Sequence, residues 1–526
     1  MICLGPEDMQ DIYTQSTLNR KVILRATITI AWPEVDLRRD TANFLAAIAG
    51  ISKSLQPESA ADDGVGLLQG TTVITADDLR RYEVLYRKFV FALFGRNSSR
   101  DLSSLINPLA LLRRLFGSAV PMQNDVLEQQ AIIEICSLLD SEYFGRMLSF
   151  PDFVLSKQIF LRCTSVDLEW NAFCSAVYSM VMYGVHAGMK SSQAENLLIA
   201  DLLRQRYHNS RLSFAEGLLA IQGCNFEETH TASFVFPLLA LSNSDRREHA
   251  LPRVDYAEGE QQVLQSISTA LGDYFKAPIN LSLSGLPNSE GRSGYPTWLP
   301  EFGPKQRMIL AHPNSRLATS ALRSYDFVVD ESRKGRCRGA RVDTVAVVKS
   351  YLAPRRICDQ YDLTGDNLFE LLRWYKFACG TETTDMPNNS SDELIVQFAE
   401  TIQAKGSNHI WDSHQKVASS EVVNRTRGFM DFLEDPETPE THDIRLFYAA
   451  CLPSHDRRFG KTTAGRFCLL PSAAAFHDIV CIIQGFKVPV LLRPTGSGYQ
   501  NVGECYVHGI MEGELDSLEE EIFLLE

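Results

Sequence analysis

The segment from residue 457 to residue 526 constrains the fold of this chain more than any other part of the sequence. It consists of short apolar runs, rich in β-branched and aromatic residues, that are separated by glycine, proline and polar turn formers. Each run has the length of a strand and is too short for a stable helix. We therefore predict a small antiparallel β-barrel or sheet here. The predicted strands are Phe467–Leu470, Ile479–Ile483, Val488–Leu492 and Val502–His508.

Glycine, proline, aromatic and charged residues follow one another in this segment in a particular order. The order is Gly465, Pro471, Asp478, Gly485, Pro489, Leu492-Arg493-Pro494, Tyr499, Gly503-Glu504, Tyr506-Val507-His508-Gly509, Met511 and Gly513-Glu514. It resembles the C-terminal signature of fungal heterokaryon incompatibility (HET) domain proteins, and a long ordered match is more specific than one glycine motif. The resemblance implies a protein that acts by protein–protein association in fungal nonself recognition and the associated programmed cell death.

Further correspondences lie upstream, in the order that the family uses. Tyr295–Phe302 is similar to its Leu-Pro-Ser-Trp-Val-Pro-Asp-Trp segment, and Val254–Tyr256 matches its Pro-Asp-Tyr-Ser element. Arg338–Asp343 looks like its short Gly-x-x-Val-Asp strand. Tyr143–Asp152 stands where the family has Trp-Phe-x-Arg-x-Trp-x-x-Gln-Glu, and Met9–Tyr13 resembles the Met-x-x-Ile-Tyr element that closes the HET core. The resemblance therefore spans nearly the whole chain.

Parts of the family pattern have no counterpart in this sequence. In intact members a Leu-Ser-Tyr-x-Trp-Gly element and a Trp-Ile-Asp-x-x-Cys-Ile-Asn-Gln block precede the Met-x-x-Ile-Tyr element, whereas eight residues precede Met9 here. Within Tyr143–Asp152 both tryptophans and the Gln-Glu pair are replaced, and Thr231–Phe234 replaces a Pro-Arg-Asp-Lys element. We therefore expect an N-terminally truncated or degenerate member that keeps only a fragment of the HET core.

Composition and periodicity predict an α+β fold with a mainly helical central region. Residues 52–70 are rich in Gly, Ser, Asp and Gln, which is typical of a linker, and residues 285–304 contain four Gly and four Pro. The predicted segments are a partial HET (TIR-like) core fragment at 1–50, a linker at 51–76, a helical domain at 77–284, a junction loop at 285–304, a mixed α/β region at 305–455 and the β module at 456–526.

Apolar residues at helical spacing, and one alternating run, predict the main elements outside the β module. The alternating run, Gly339–Lys349, predicts a strand. In the junction loop, Trp298 stands between prolines and is expected to anchor the loop onto the helical core. The predicted helices include Leu105–Phe116, Asp125–Leu139, Ala172–Tyr183, Ser192–Tyr207, Phe214–Ile221, Leu363–Ala378, Asp392–Gln403 and His442–Leu452.

The charge of the chain argues against nucleic acid and anionic membrane as partners. The net charge is −14, and phosphate binding needs a basic surface. The one basic cluster, formed by Arg333, Lys334, Arg336, Arg338 and Arg341, stands in a turn that enters a strand and is interpreted as a solvated hairpin tip. The protein partner itself is not predicted.

Two further patterns bear on the compartment. The twelve cysteines include no Cys-x-x-Cys pair, and most stand in apolar runs, which favours a reducing, cytoplasmic setting. The window 170–189 carries no Asp, Glu, Lys or Arg, but its serines, glycines, Asn171 and His186 keep its hydropathy modest. A buried helix is therefore predicted there in preference to a membrane span.

An NAD-cleaving activity of the TIR type would need a glutamate in a pocket beside the ribose. The blocks that would carry that glutamate have no counterpart here. Glu7, Asp8 and Asp11 are interpreted as acidic residues that open a helix. We predict no catalytic residue and no cofactor, and the enzyme remains an alternative only if the missing blocks exist upstream.

Other site motifs in the sequence are incomplete. Gly496–Gly498 lies in a turn and is not a nucleophile elbow, and Gly460–Thr462 lacks the first glycine of a phosphate-binding loop. Glu504, Tyr506 and His508 would share one strand face, but they provide too few ligands for a metal. His455-Asp456 and His477-Asp478 suit turns. No metal site is predicted, and a second alternative is an inactive diverged product or an accessory protein of a biosynthetic gene cluster.

Overall fold

The computed structural model describes the chain in two compact units. Unit 1 comprises 1–248 with 303–305 and 357–359, and unit 2 comprises 249–302, 306–356 and 360–526. The described residues are 29–31, 125–163, 167–171, 194–208, 214–221, 260–286, 294–302, 309–311, 326–330, 333–354, 366–380, 391–405, 418–435, 451–513 and 519–526, with isolated positions elsewhere.

Unit 1 combines helices with a small three-stranded sheet. In this sheet β1 pairs in parallel with β2, and β2 pairs antiparallel with β3. The sequence patterns did not predict β2 and β3, because each is shorter than the window over which alternation is recognised. The elements are β1 (Thr29–Ala31), α1 (Asp125–Leu139), α2 (Glu142–Gly145), α3 (Phe150–Leu155), β2 (Ile159–Arg162), β3 (Asp167–Glu169), α4 (Ala194–His208) and α5 (Phe214–Ala220).

The core of unit 1 is built around aromatic rings. Phe153 stacks on Trp170 with a centroid distance of 4.8 Å and on Phe144 at 5.5 Å. Arg204 on α4 donates to the carbonyls of Phe153 and Lys157, at 3.2 and 2.7 Å, and so closes the C-terminal end of α3. The Tyr143–Asp152 segment, singled out by the family resemblance, therefore lies in a packed helical corner.

Unit 2 contains five helices and nine strands among its described residues. The helices α8 and α9 pack on the sheet through Phe459, whose ring lies 5.7 Å from that of Trp374 and 5.5 Å from that of Phe398. The helices are α6 (Glu260–Phe275), α7 (Asn280–Leu283), α8 (Asn367–Ala378), α9 (Asp392–Ile402) and α10 (Ser419–Glu434). The strands are β4 (Phe327–Val329), β5 (Gly335–Leu352), β6 (Arg457–Thr462), β7 (Phe467–Pro471), β8 (Ile479–Ile483), β9 (Val490–Pro494), β10 (Tyr499–Glu504), β11 (Tyr506–Val507) and β12 (Glu521–Leu525).

The pairings of five strands close a ring. The ring runs β5–β12–β10–β9–β8 and returns to β5, and its closure between β12 and β10 consists of the single register pair Tyr499↔Leu525. The long strand β5 makes closure possible because its first half pairs with β12 and β8, while its second half pairs with β6. Register shifts at 341/343, 345/347 and 348/351 bend β5 between these partners.

A second layer, β6–β7–β11, continues from β5 beside the ring. Val480, Leu491 and Val502 from the ring form one core with Cys468 and Leu470 from β7. Burial of such apolar side chains stabilises the fold by roughly 1.5–3 kcal/mol for each large one. The apolar runs of the sequence over 467–507 therefore contribute to a single barrel core.

The predicted strands are confirmed in part. Phe467–Leu470 and Ile479–Ile483 are β7 and β8, and Val488–Leu492 is β9 shifted to Val490–Pro494. The single strand predicted over Val502–His508 is wrong, because the ladder breaks at Cys505, whose N–H donates to the carbonyl of Pro489 at 2.9 Å. β10 ends before this break, and β11 after it pairs with β7.

Several predicted elements lie outside the described residues. These are the linker 51–76, the helix Leu105–Phe116, most of the window 170–189, and almost all of the predicted HET core fragment at 1–50. The helix predicted over Asp125–Leu139 is confirmed as α1, and Asp392–Gln403 is confirmed as α9. The predicted segment boundaries stay predictions. A search of the described helices finds none with the length and apolar character needed to cross a membrane.

Candidate functional site

The carboxylate of Glu504, at the end of β10, is fully buried in unit 2. Arg457 Nη2 lies 2.7 Å from Glu504 Oε1, and both side chains are fully buried. Ser282 Oγ donates to Oε2 at 2.6 Å, and the backbone N–H groups of Leu310 and Ala311 donate at 2.8 and 3.1 Å. One carboxylate therefore joins β10, β6, α7 and the segment around residue 310.

This Glu504 cage leaves no room for a reacting group. Arg457 also donates through Nη1 to the backbone carbonyl of Glu504 at 2.9 Å, so the pair is held twice. A buried charge persists in a protein when it is paired and hydrogen-bonded, and both conditions are met here. The cage is a structural tie, and the Gly503-Glu504 element of the family pattern reflects packing.

A second residue pair from the family pattern is also structural. Arg493 donates to Asp478 through Nε at 2.8 Å and through Nη2 at 2.9 Å, which is a bidentate arrangement. Asp478 also accepts from the N–H of Ala475 at 2.8 Å. The hydrogen bonds that Arg493 donates to Asp478 raise the pKa of its guanidinium. The turn before β8 is thereby attached to β9.

Asp343, from the Gly-x-x-Val-Asp element, holds the β6–β7 turn. Its Oδ1 accepts from Thr463 Oγ1 at 2.5 Å and from the N–H of Ala464 at 3.3 Å, and Arg466 pairs with its Oδ2 at 3.2 Å. Burial acts to raise the pKa of Asp343, but hydrogen bonds from Thr463 and Thr462 outweigh it and lower the pKa. The aspartate is thus kept ionised as a turn anchor.

Gly503 shows why the family pattern has glycine before the glutamate. Its φ is +135°, and the β9–β10 register shifts between Asn501 and Gly503. We expect Gly503→Val to lower the free energy of unfolding of unit 2 by about 2–4 kcal/mol, because valine cannot adopt this bulge conformation without strain. Urea unfolding followed by circular dichroism measures the change. An unchanged midpoint would contradict the bulge assignment, and Gly496→Ala, with nothing within 4 Å of the added methyl group, is the matched control.

The incomplete motifs of the sequence fall in regular structure. Gly460–Thr462 lies within β6, and a Cβ on Gly460 would stand 2.4 Å from the carbonyl oxygen of Val347, so no phosphate can be cradled there. Ser497 lies in the β9–β10 turn, where its hydroxyl donates to Glu526. Neither segment forms the site that the motif would require.

The suggested shared face of Glu504, Tyr506 and His508 is not formed. Glu504 is held by Arg457, whereas His508 Nε2 lies 3.0 Å from Glu400 Oε2 on α9. Tyr506 is buried, and the ladder breaks at Cys505 between β10 and β11. Across the described parts of the chain, no group of three or more His, Cys, Asp or Glu side chains is placed to hold a metal ion.

The two His-Asp pairs lie in turns, as predicted. His477 has a φ of +69° and precedes the buried Asp478. Asp456 has a φ of +59°, accepts from Tyr351 at 2.6 Å and follows His455, whose Nδ1 lies 3.0 Å from the carbonyl of Ala353. These contacts fasten the start of β6 to the end of β5. The loop residue Trp298 is buried, but its predicted packing on the helical core is wrong, because its ring lies 5.5 Å from that of Phe327 on β4 and anchors the loop to the β4–β5 hairpin.

The predicted hairpin tip is confirmed for Arg333 and Lys334 of the basic cluster and is wrong for Arg336, Arg338 and Arg341, which lie within β5. Arg333 lies in the turn with a φ of +62°. Three side chains of the cluster form salt bridges with carboxylates on neighbouring strands. The pairs are Lys334 with Glu526 at 2.5 Å, Arg338 with Asp326 at 3.0 Å and Arg341 with Glu521 at 2.6 Å. A phosphate ligand would have to break these pairs, so the arrangement does not favour nucleic acid.

The outer face of the β4–β5–β12 sheet is the candidate interaction surface. It exposes Val328 to 48% and Ile522 to 53%, with Arg336 and Arg338 between them. On this face, Arg336 of β5 lies directly between Val328 of β4 and Leu524 of β12, and Arg338 of β5 lies directly beside Ile522 of β12. Exposed apolar side chains beside arginine are typical of protein contact surfaces.

Among the described residues of unit 1, burial raises the pKa of two carboxylates, Asp152 and Asp201. Asp152 on α3 is the last residue of the segment Tyr143–Asp152 and stands at the position of the glutamate in the family's Gln-Glu pair. Burial raises its pKa to about 6, and burial together with the Asp152 charge raises the pKa of Tyr143. The sequence reasoning did not select Asp152, because a single carboxylate in a helix gives no signal of its burial.

We expect Asp152→Asn to stabilise unit 1 at pH 7 and not at pH 4. The pKa of Asp152 is raised on folding, so its protonated form is favoured in the folded state, and stability is lost as the pH rises from about 4 through 6. At pH 7 the gain is expected to be about 1–3 kcal/mol. Hydrogen exchange of peptides covering α3, at both pH values, measures it. Asp167→Asn should change stability in the opposite direction, since the hydrogen bond from Arg162 lowers the pKa of Asp167.

Unit 2 is a closed, mostly antiparallel barrel with packed helices, and the polar residues Asp343, Asp478 and Glu504 hold its strands and turns together. A family model described as Het-6 beta-barrel domain matches residues 437–525 and links the chain to the fungal heterokaryon incompatibility family. No curated protein and no solved structure shows significant similarity to the chain. Glu7, Asp8 and Asp11 lie outside the described residues.

Proposed function

We propose that this chain acts in fungal nonself recognition and the associated programmed cell death, as a heterokaryon-incompatibility-type protein that works by association with another protein. The Het-6 barrel match over 437–525 is the observation that carries the proposal. The roles of Asp478, Arg493 and Glu504 support the proposal. These residues of the family pattern hold the barrel together through their ion pairs, as expected for a protein that acts by association. The partial HET core fragment proposed for residues 1–50 belongs to the same proposal.

The proposed site of action is the cytoplasm. The described cysteines are free thiols, and most of them are buried. Burial raises the pKa of the Cys337 thiol to about 12, which keeps it protonated and inert. Thiols of this kind support a reducing compartment. A protein partner is proposed in preference to nucleic acid because the basic cluster is paired with carboxylates.

Forced expression in a fungal host tests the proposed function. The intact chain should slow growth or kill cells, and the variant Val328→Asp/Ile522→Asp should do so less, because it places charge on the candidate interaction surface without touching the core. Growth equal to that of the empty vector would contradict the proposal and favour an inactive or accessory product. Purified chain should leave NAD intact, and turnover would instead favour the NAD-cleaving alternative.

A further inference from the structure

We propose that β12 is an exchangeable strand and that the groove between β5 and β10 accepts β12 from a second copy of this chain. The inference does not depend on the proposed biological role. The strand β12 closes the ring, and of its five residues only Phe523 and Leu525 are buried.

The two sides of β12 are held unequally. On one side it pairs antiparallel with β5 from Glu521 to Leu525. On the other side it pairs in parallel with β10 only at Tyr499↔Leu525. The strand β12 is therefore hydrogen-bonded along its length to β5 but contacts β10 at one end only. It can detach without disrupting the ladder between the remaining strands β8, β9 and β10.

The strand β12 also buries fewer of its apolar side chains than β8 does. Its inward side chains Phe523 and Leu525 are fully buried, while Ile522 is 53% exposed. By contrast β8 buries Val480 through Ile483 on both faces. Because the free energy of local opening follows the buried apolar surface, β12 should open before β8.

The polar anchors of β12 lie near solvent and recur in every copy. Glu521 pairs with Arg341, and these side chains are 37% and 47% exposed. Glu526 pairs with Lys334 at 2.5 Å, accepts from Thr495 at 2.9 Å, and its N–H donates to the carbonyl of Tyr499 at 2.8 Å. A second copy would supply the same strand and the same anchors.

Opening of β12 exposes the edge of β5 from Gly335 to Gly339 and, on β10, the single position of Tyr499, since the N–H of Asn501 further along β10 donates to Thr297 Oγ1 at 2.8 Å. Unpaired edges that flank a hydrophobic groove are templates for another strand. The sequence that fits the groove is an apolar run bounded by acidic residues, and β12 of a second copy meets that requirement. The occupant is therefore the second copy, and an unrelated peptide is not needed.

Strand exchange can be detected with single cysteines placed in register. Arg336 on β5 lies directly opposite Leu524 on β12. One preparation of the chain carries Arg336→Cys and the other carries Leu524→Cys, and the two are mixed under mild oxidation. Exchange places the two new thiols opposite each other in trans, within the spacing that a disulfide needs. A covalent dimer linked between positions 336 and 524, identified by peptide mass analysis, is the expected result.

The control pair is Arg336→Cys mixed with Phe476→Cys, since Phe476 is 60% exposed and forms no strand pair with β5. We expect the register pair to give about tenfold or more covalent dimer over this control. Equal yields would overturn the proposal. Combining both substitutions in one chain should form the link within the chain and suppress the dimer.

Amide hydrogen exchange gives an independent measurement on the unmodified chain. Peptides from β12 should exchange about tenfold or more faster than peptides from β8. Equal protection of β12 and β8 would overturn the proposal even if a disulfide dimer were found, because exchange of the strand requires it to open.

Discussion

Replacing Glu504 by Gln is expected to lower the free energy of unfolding of unit 2 by about 3–5 kcal/mol. The substitution keeps the size of the side chain but leaves the guanidinium of Arg457 fully buried without its counter-charge at 2.7 Å. The N–H groups of Leu310 and Ala311 would also lose a charged acceptor for a neutral amide. Hydrogen exchange of barrel peptides as a function of urea measures the loss for this unit.

The double variant Glu504→Gln/Arg457→Met tests whether the loss of stability in Glu504→Gln comes from the unpaired charge of Arg457 or from the other hydrogen bonds of the Glu504 cage. We expect it to be more stable than Glu504→Gln alone, because it removes the uncompensated charge. Glu521→Gln is the matched control, since its partner Arg341 is exposed and the loss should stay below about 1 kcal/mol. A loss for Glu504→Gln no larger than that of this control would contradict the buried cage.

Replacing Gly339 by Ala is expected to lower the free energy of unfolding of unit 2 by about 2–4 kcal/mol. Gly339 pairs with Glu521 of β12 on one side and with Ile483 of β8 on the other, so it stands where the ring closes. A Cβ there would lie 2.2 Å from the carbonyl oxygen of Ile482 and 3.1 Å from its carbon. The backbone of β8 would have to move away, which weakens the closure itself.

Gly428→Ala in α10 is the control for the glycine effect. Nothing lies within 4 Å of the added methyl group at Gly428. We therefore expect this variant to gain about 0.5–1 kcal/mol, since alanine favours helix over glycine. Urea unfolding of both variants by circular dichroism compares them. A gain at Gly339 of the same size would show that β5 and β8 do not approach as described.

The helices were predictable where they carry local signals. α9 begins after Ser391, whose hydroxyl accepts from the N–H of Leu394 at 3.3 Å, and its buried residues recur at helical spacing. α10 was not predicted, because Ala418 provides no side-chain cap and Gly428 interrupts the pattern. Its burial of Val423, Phe429 and Met430 appears only when a core is present.

The candidate site was less accessible from the sequence than the fold. The basic cluster was recognised, but its neutralisation depends on carboxylates that two strand pairings bring to it: Asp326 through β4–β5, and Glu521 and Glu526 through β5–β12. The exposed Ile522 lies in β12, for which no strand was predicted, since β12 alternates over too few residues to be recognised. A surface is made by neighbours in space, and periodicity along the chain does not identify them.

Local properties of the sequence, namely periodicity, turn residues and ordered motifs, were enough to predict the strands β7 and β8, the helices α1 and α9, and the C-terminal β module that the Het-6 beta-barrel match covers. Tertiary structure alone decided the pairing of Arg457 with Glu504, the approach of Ser282 to the same carboxylate, and the closure of the ring by β12. These contacts join residues far apart along the chain, and their free energy arises only when the barrel excludes water from them.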